Sequence, residues 1–350
     1  MSKHKKFVHF QLFLFLFCTS LYGSDWLDQN EFTVEKKNNT LEIQENAQEQ
    51  EKMLLDKYPN AVEMVAKNIF PVFMNEKFDS SVNAINKTGL ESAGYTVKEI
   101  SIRLKDSFPF STLPYQAVIV THPDTIHSQK WCIDASGNGI DINYILNLAT
   151  KRNHMMGCNT LLIKGPFIEK NKNWPTRYRM GSGYEAGLQF LEKKTKATHI
   201  IMRGYCLGGG LISEAIMLHD FMDSIKYLYI SDRTYSKLSE LCNNLPALPN
   251  QQPFLNVINF ALLHANMELD NVQAAKKLSN LNIPHIIIQH YGGGTDGVIP
   301  DSASLAYHLH KIHDLKEKKY LEAFVMPHNG KLPIHIEDQL NQEITQFLAE

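Results

Sequence analysis

Short apolar segments alternate with stretches of helical periodicity from about Thr96 to the end of the chain, and this alternation constrains the fold most. The first two segments are predicted strands, and the six that follow are rich in Ile, Leu and Val, which is typical of strands buried on both faces of a sheet. They are Thr96 to Leu104, Tyr115 to Thr121, Trp131 to Ala135, Thr160 to Lys164, His199 to Met202, Ile225 to Ile230, Pro284 to Gln289 and Leu321 to Met326. The helical segments are Tyr144 to Arg152, Ser182 to Lys194, Leu207 to Phe221, Ser302 to Ile312 and Ile336 to Leu348. This alternation predicts βαβ units and an α/β fold with a mostly parallel, doubly wound sheet.

The composition excludes several classes of protein. Hydrophobic residues make up 43% of the 350 residues and charged residues 21%, as in ordinary globular proteins. The formal net charge of -2 gives no electrostatic reason to expect a nucleic acid partner. Beyond Cys18, the cysteines are Cys132, Cys158, Cys206 and Cys242, which lack metal-ligand spacing and are too few for a disulfide scaffold. At least one of them is therefore a candidate working thiol.

The first residues are expected to be separate from the main domain. Lys3 to Lys6 form a basic start, Phe7 to Phe17 is an apolar run, and small or turn-forming residues follow up to Ser24. This layout predicts a signal peptide over residues 1–24 and export to the periplasm or beyond. The apolar run is short for a membrane span, and an uncleaved N-terminal membrane anchor is the alternative interpretation.

The remainder divides into an extension and one domain. Residues 25–94 are polar and helix-prone, and are predicted to form an N-terminal extension that carries no chemistry. Residues 95–350 contain the alternating segments and are predicted to form the main domain. Within it, residues 234–280 interrupt the alternation with Pro246, Pro249 and an apolar stretch. Such a long interruption predicts a cap-like helical insertion over an active site.

The turn Gly204-Tyr205-Cys206-Leu207-Gly208 joins a predicted strand to a predicted helix. Glycines two positions before and two after Cys206 remove the side chains that would clash in a sharp turn. The apex residue is then strained and presented clear of the sheet, at a helix N-terminus that favours a thiolate. The alternative is a glycine-rich turn with an incidental buried cysteine. The flanking strand and helix favour a nucleophile.

The sequence Gly-Tyr-Cys-Leu-Gly-Gly at residues 204–209 resembles the nucleophile turn of the dienelactone hydrolases, which are α/β-hydrolases that use cysteine. The layout from about Thr96 onward resembles larger lipase- and esterase-like hydrolases, among them the chlamydial CHLPS-type proteins, which usually carry serine at this turn. The segment from Ile230 to Tyr235 resembles a stretch of that group. These resemblances imply an α/β-hydrolase fold for residues 95–350, in which the chain order is nucleophile, acid, histidine.

That order selects the base that a cysteine nucleophile needs and the acid that orients the base. Asp296 follows the penultimate predicted strand in a glycine-rich loop and is the preferred acid, with Asp232 and then Asp301 as alternatives. His328 follows the last predicted strand and is the preferred base. His335 also lies between that strand and the last helix, but at the helix start, where a capping or surface role is expected.

Backbone N–H groups are expected to complete the site. The loop from Ser136 to Gly139 follows the third predicted strand, where these folds often carry a His-Gly-x-Gly turn. The N–H of Leu207, together with a group from this loop, is predicted to bind the oxyanion. Because Ser136 stands where His is usual, the loop donor is left open between Gly137 and Asn138.

These features predict a hydrolase of ester, thioester or lactone bonds with a triad of Cys206, His328 and Asp296 and a covalent acyl-enzyme. No metal or cofactor is implied. The apolar stretch of the insertion predicts a small acyl or lipid-like substrate, and the N-terminal segment is the expected point of any membrane association. The alternative function is a non-catalytic α/β-hydrolase scaffold that binds a ligand or protein partner, since cysteine stands where serine is usual.

Overall fold

The computed structural model describes residues 82–102, 115–137, 142–164, 176–244 and 267–350, together with Asn259 and Leu262. The predicted signal peptide lies outside these residues, as do most of the predicted extension and the middle of the predicted insertion. These three assignments therefore stay predictions. Within the described ranges, no helix is long and apolar enough to cross a membrane.

The described strands and helices follow the predicted alternation. The strands are β1 (Thr96–Ile102), β2 (Tyr115–Thr121), β3 (Lys130–Ala135), β4 (Asn159–Ile163), β5 (His199–Tyr205), β6 (Lys226–Asp232), β7 (His285–Thr295) and β8 (Lys318–Val325). The helices are α1 (Ala84–Ser92), α2 (Ile142–Met155), α3 (Arg177–Lys194), α4 (Leu207–Leu218), α5 (Leu238–Asn244), α6 (Asn271–Asn280), α7 (Leu305–His310) and α8 (Ile334–Ala349). Each predicted strand and helix overlaps one of these elements.

The strands form one mixed sheet in the order β1-β2-β4-β3-β5-β6-β7-β8. β2 is antiparallel to both β1 and β4, and every pairing from β4 across to β8 is parallel. The predicted α/β fold with a mostly parallel sheet is therefore confirmed.

The central strand β5 continues further than its apolar segment. β5 was predicted to end at Met202, but Arg203 pairs with Asp134 on β3 and with Ile230 on β6, and the strand extends to Tyr205. The ladder is made of backbone groups, so it continues through a charged side chain that the apolar pattern treats as a boundary.

The helix predicted over residues 302–312 is interrupted. Asp301–Ala303 form a 3₁₀ turn, and Ser304 is extended at φ -69° and ψ 148°. The Ser304 side chain accepts a hydrogen bond from the N–H of Tyr307 at 3.2 Å, so it caps a new helix, α7. Serine can stabilise a helix start in this way, and the apolar periodicity does not distinguish a cap from a helix interior.

Both faces of the sheet are covered by helices. On one face, Leu340 and Ile344 of α8 pack in the same cluster as Ile201 of β5. On the other face, α3 approaches so closely that a Cβ on Gly187 would lie 2.8 Å from Cδ1 of Ile133 on β3. Burial on both faces explains the continuous runs of Ile, Leu and Val in the central strands.

The chain reverses its direction across the sheet between β3 and β5. It leaves β3 for β4 on one side, and then returns to β5 on the other side of β3. In open α/β sheets, the crevice at the carboxyl ends of the strands at such a reversal is where ligands bind. Ser136 directly follows β3 and Cys206 directly follows β5, so both residues lie at this crevice.

The chain divides into two compact units. One comprises residues 66–245 and 267–350, and it contains the sheet and the helices named above. The other comprises residues 1–65 and 246–266, of which only Asn259 and Leu262 are described.

Candidate active site

Cys206 occupies the apex of the turn between β5 and α4, with φ 52° and ψ -117°. Few non-glycine residues adopt a positive φ, and strain of this kind is concentrated at functional sites. The Cys206 N–H donates to the carbonyl oxygen of Asp232 at 3.0 Å, and the Thr234 hydroxyl donates to the carbonyl oxygen of Cys206 at 2.6 Å. Cys206 is a free, partly exposed thiol. The turn therefore fixes the backbone and leaves the sulfur accessible.

Close backbone contacts explain the glycines on either side of Cys206. A Cβ on Gly204 would lie 2.5 Å from the Cα of Gly209, and a Cβ on Gly208 would lie 2.2 Å from the carbonyl oxygen of Ala135. Both distances are shorter than non-bonded carbon contacts allow. The crossing from strand to helix therefore needs a residue without a side chain at both positions.

Replacing Gly208 with Ala is expected to lower the free energy of unfolding by about 3 kcal/mol, because the added methyl group must displace backbone atoms of β3. Chemical denaturation measures the loss. Gly89→Ala is a matched control, since a Cβ there meets nothing within 4 Å and the residue lies within α1. A Gly208→Ala protein as stable as the control would contradict this packing.

Asp296 and His328 are joined by side chain and backbone. Nδ1 of His328 lies 2.8 Å from Oδ2 of Asp296, and the His328 N–H donates to the Asp296 carbonyl oxygen at 2.7 Å. The other carboxylate oxygen, Oδ1, accepts the N–H groups of Val298 at 2.8 Å and Ile299 at 2.6 Å. Because the carboxylate is fixed by these groups, it holds the imidazole with Nδ1 protonated and leaves Nε2 for another partner.

The contacts of His328 also determine its charge. Burial alone lowers the pKa of His328, but its hydrogen bond with Asp296 and the nearby Cys206 thiol outweigh burial and raise the pKa to about 9. For Asp296, burial raises the pKa, whereas the hydrogen bonds from His328, Val298 and Ile299 bring it below its ordinary value. His328 is thus hydrogen-bonded to an ionised acid and lies next to Cys206.

The alternative acids and base have other contacts. Asp232 is buried and accepts hydrogen bonds from Arg203 at 2.6 Å and Arg233 at 2.8 Å, so its carboxylate neutralises arginines. Asp301 accepts the N–H of Gly293 at 3.2 Å. His335 is exposed in the first turn of α8.

Of the predicted oxyanion donors, Leu207 and Gly137 are described, whereas Asn138 lies outside the described residues. Leu207 is the first residue of α4, and a helix leaves the N–H groups of its first turn without partners of its own. A Cβ on Gly137 would lie 3.3 Å from Cβ of Cys206, so the loop after β3 lies against the nucleophile turn. This arrangement suits an oxyanion site formed by N–H groups of both the nucleophile turn and the loop after β3.

Arg233 and Tyr205 hold the loop that carries His328, and the sequence predicts no role for either side chain. Arg233 Nη1 donates to the carbonyl oxygens of Pro327 and Gly330, both at 2.7 Å. The Tyr205 hydroxyl donates to the carbonyl oxygen of His328, and its ring lies 5.0 Å from the Arg233 guanidinium carbon. The sequence signals for Arg233 are a charged pair at the end of an apolar strand and its place in the segment from Ile230 to Tyr235.

A cavity of about 500 Å³ lies beside this loop. Ser136, Tyr205 and His328 line it, together with five charged residues: Asp134, Arg152, Arg203, Asp232 and Arg233. Asp134 is bound by Arg152 and by the amide of Asn153 at 2.8 Å, which accounts for an aspartate in a buried strand.

One cluster of metal-type side chains occurs among the described residues, away from the crevice. His122, Asp124 and His154 have ligand atoms within 4.8 Å of one another. His122 follows β2 at its end beside the start of β4, since Val120 pairs with Thr160. This end of the sheet is opposite the carboxyl ends of the parallel strands, where Cys206 lies. The cluster therefore does not contribute to the Cys206 site.

No family model and no curated protein matches the chain. Among solved structures, an esterase from Pyrococcus furiosus is similar with a TM-score of 0.51 and 12% identity, over 77% of this chain and 96% of that one. An alpha-beta hydrolase from Vibrio vulnificus is similar with a TM-score of 0.54 and 10% identity, over 81% of this chain and 92% of that one.

At such identities the likeness shows the fold alone, and that fold is the predicted α/β-hydrolase fold. The resemblances to the dienelactone hydrolases and to the chlamydial proteins rest on sequence motifs and stay predictions.

Proposed function

We propose that the protein hydrolyses ester, thioester or lactone bonds through a covalent acyl-enzyme on Cys206. The observation that carries the proposal is the pair of His328 and Asp296, hydrogen-bonded at 2.8 Å and placed next to Cys206 at the apex of a strained turn. A nucleophile bonded to a base that is oriented by a buried acid is the arrangement that acyl transfer requires.

In the first half of the reaction, the sulfur of Cys206 attacks the acyl carbon and its proton resides on Nε2 of His328. The N–H of Leu207 and a group from the loop at Gly137 bind the oxyanion; one such donor typically contributes about 3 kcal/mol to lowering the barrier. When the intermediate collapses, the bond to the leaving group breaks and His328 donates its proton to the departing oxygen or sulfur.

In the second half, water attacks the thioester and His328 takes one of its protons. Collapse of this intermediate breaks the bond to sulfur, releases the acid and restores the starting hydrogen bonds. Asp296 stays ionised throughout and stabilises the imidazolium, as its lowered pKa requires. No step needs a metal or a cofactor.

The substrate class and the location of the protein are also proposals. The apolar stretch within residues 234–280 supports an acyl or lipid-like substrate, and residues 1–24 support export. Edman sequencing of the mature protein separates a cleaved signal peptide, with a new N-terminus near residue 25, from a retained anchor.

A panel of p-nitrophenyl esters of increasing chain length tests the proposed activity. We expect turnover, and an acylated Cys206 peptide in the mass spectrum after rapid acid quenching. Iodoacetamide should alkylate Cys206 faster in the wild type than in a His328→Ala variant, since His328 stabilises the thiolate. Absence of both turnover and His328-dependent labelling would instead favour the non-catalytic scaffold.

A further inference from the structure

The cavity beside the His328 loop has an excess of positive charge. Arg152, Arg203 and Arg233 line it, and only Asp134 and Asp232 oppose them among the described residues. Apart from His328, the lining therefore carries a formal charge of +1. Burial and the charge of Arg152 both lower the pKa of Arg203, as expected where positive charge is concentrated.

Arg203 has N–H groups that the described residues do not engage. Its Nη2 donates to Oδ2 of Asp232 at 2.6 Å, and this is its one hydrogen bond within the described part of the chain. A guanidinium carries five N–H groups, so those on Nε and Nη1 remain. The side chain is only 12% exposed, and what is exposed faces the cavity. Because Arg203 lines the cavity, an anion there can accept hydrogen bonds from these N–H groups.

The other wall of the cavity is apolar. Tyr144, Ile145, Leu148 and Ala149 of α2 line it, and Tyr144 and Leu148 are 73% and 63% exposed. Large apolar side chains at the rim of a pocket with a charged floor fit a ligand that is charged at one end and apolar at the other.

We propose that this cavity binds the carboxylate of a small amphipathic acid, with Arg203 pairing the carboxylate and α2 covering the apolar chain. The single charge of a carboxylate offsets the excess of arginines over aspartates in the lining. The planar fork of a guanidinium also matches a carboxylate. The carboxylate belongs either to the substrate or to a free acid that binds beside His328.

Titration calorimetry with the full chain tests the binding. Hexanoate is the probe, and hexanamide and inorganic phosphate are the comparisons. Hexanoate is expected to bind at least about 10-fold more tightly than either, because only hexanoate combines one negative charge with an apolar chain. Equal binding of hexanoate and hexanamide, or binding of neither, would overturn the inference.

Two variants locate the site. Arg203→Met should abolish the preference for hexanoate over hexanamide. Leu148→Glu places a negative charge at the exposed rim without disturbing the ion pairs, and should weaken hexanoate binding by about 10-fold. Met155→Glu is the matched control, since it is 80% exposed on the same helix and does not line the cavity. Equal losses in Leu148→Glu and Met155→Glu would count against the cavity.

The source of the carboxylate is decided by kinetics. If it belongs to the substrate, mono-p-nitrophenyl succinate should have a higher kcat/KM than p-nitrophenyl butyrate, and Leu148→Glu should remove the difference. If it is a free acid, hexanoate should bind while the two esters react alike. Hexanoate binding without turnover of any ester would remove the proposed function and leave this site. Ester turnover without hexanoate binding would leave the proposed function and remove this carboxylate site.

Discussion

Replacing Cys206 with Ala is expected to lower kcat for p-nitrophenyl ester hydrolysis by about 10⁴-fold or more, because the acyl-enzyme then has no attachment point. The free energy of unfolding should change little, since the turn is held by backbone groups of Cys206 rather than by its sulfur. Steady-state kinetics and chemical denaturation of the same preparation separate the two effects.

Cys242→Ala is the matched control for this loss. Cys242 is another free thiol, but it is buried in α5, and burial raises its pKa to about 12. Its replacement should leave kcat unchanged. A Cys206→Ala protein that keeps wild-type activity would refute Cys206 as the nucleophile. A Cys206→Ser protein more active than the wild type would show that the site suits serine better than cysteine.

Replacing Asp296 with Asn is expected to lower kcat/KM by about 10³-fold to 10⁴-fold and to change its pH dependence. In the wild type the hydrogen bonds of His328 raise its pKa to about 9, so the shared proton is retained from neutral pH up to about pH 9 and lost above it. The alkaline limb of kcat/KM should therefore lie near pH 9. Without the negative charge of Asp296 the imidazolium is less stable, and the limb should move to lower pH.

Asp232→Asn and Asp301→Asn are the controls for the acid. Asp232→Asn leaves buried Arg203 and Arg233 without their counter-ion, so it should cost about 3 kcal/mol of unfolding free energy without moving the alkaline limb. Asp301→Asn should affect neither property strongly. A shift of the limb in Asp232→Asn, and none in Asp296→Asn, would reassign the acid.

Much of the fold was predictable because its signal is local. Strands buried on both faces must be apolar along their length, and this requirement marked the central strands β3 to β7. The boundaries were less predictable. β5 continues through Arg203, and Ser304 divides a helical segment, because backbone pairing and capping do not depend on hydrophobicity.

In the candidate site, too, some residues were predictable from local sequence and others were not. Cys206 was identified from the glycines that a sharp turn needs, and Asp296 and His328 from their places after strands, which bring distant segments to one edge of the sheet. Arg233 could not be identified in this way. Its contacts with Pro327 and Gly330 join parts of the chain that only the parallel order of β6, β7 and β8 brings together.

The sequence by itself determined the alternation of strands and helices, the turn that presents Cys206, and the order of Cys206, Asp296 and His328 along the chain. The tertiary structure alone decided that Asp296 bonds to His328 while Asp232 neutralises arginines, and that a cavity with excess positive charge lies beside them. The physical reason is how far apart along the chain the interacting residues lie. Periodicity and turn chemistry act between residues a few positions apart, whereas the partner of a buried charge depends on which strands become neighbours.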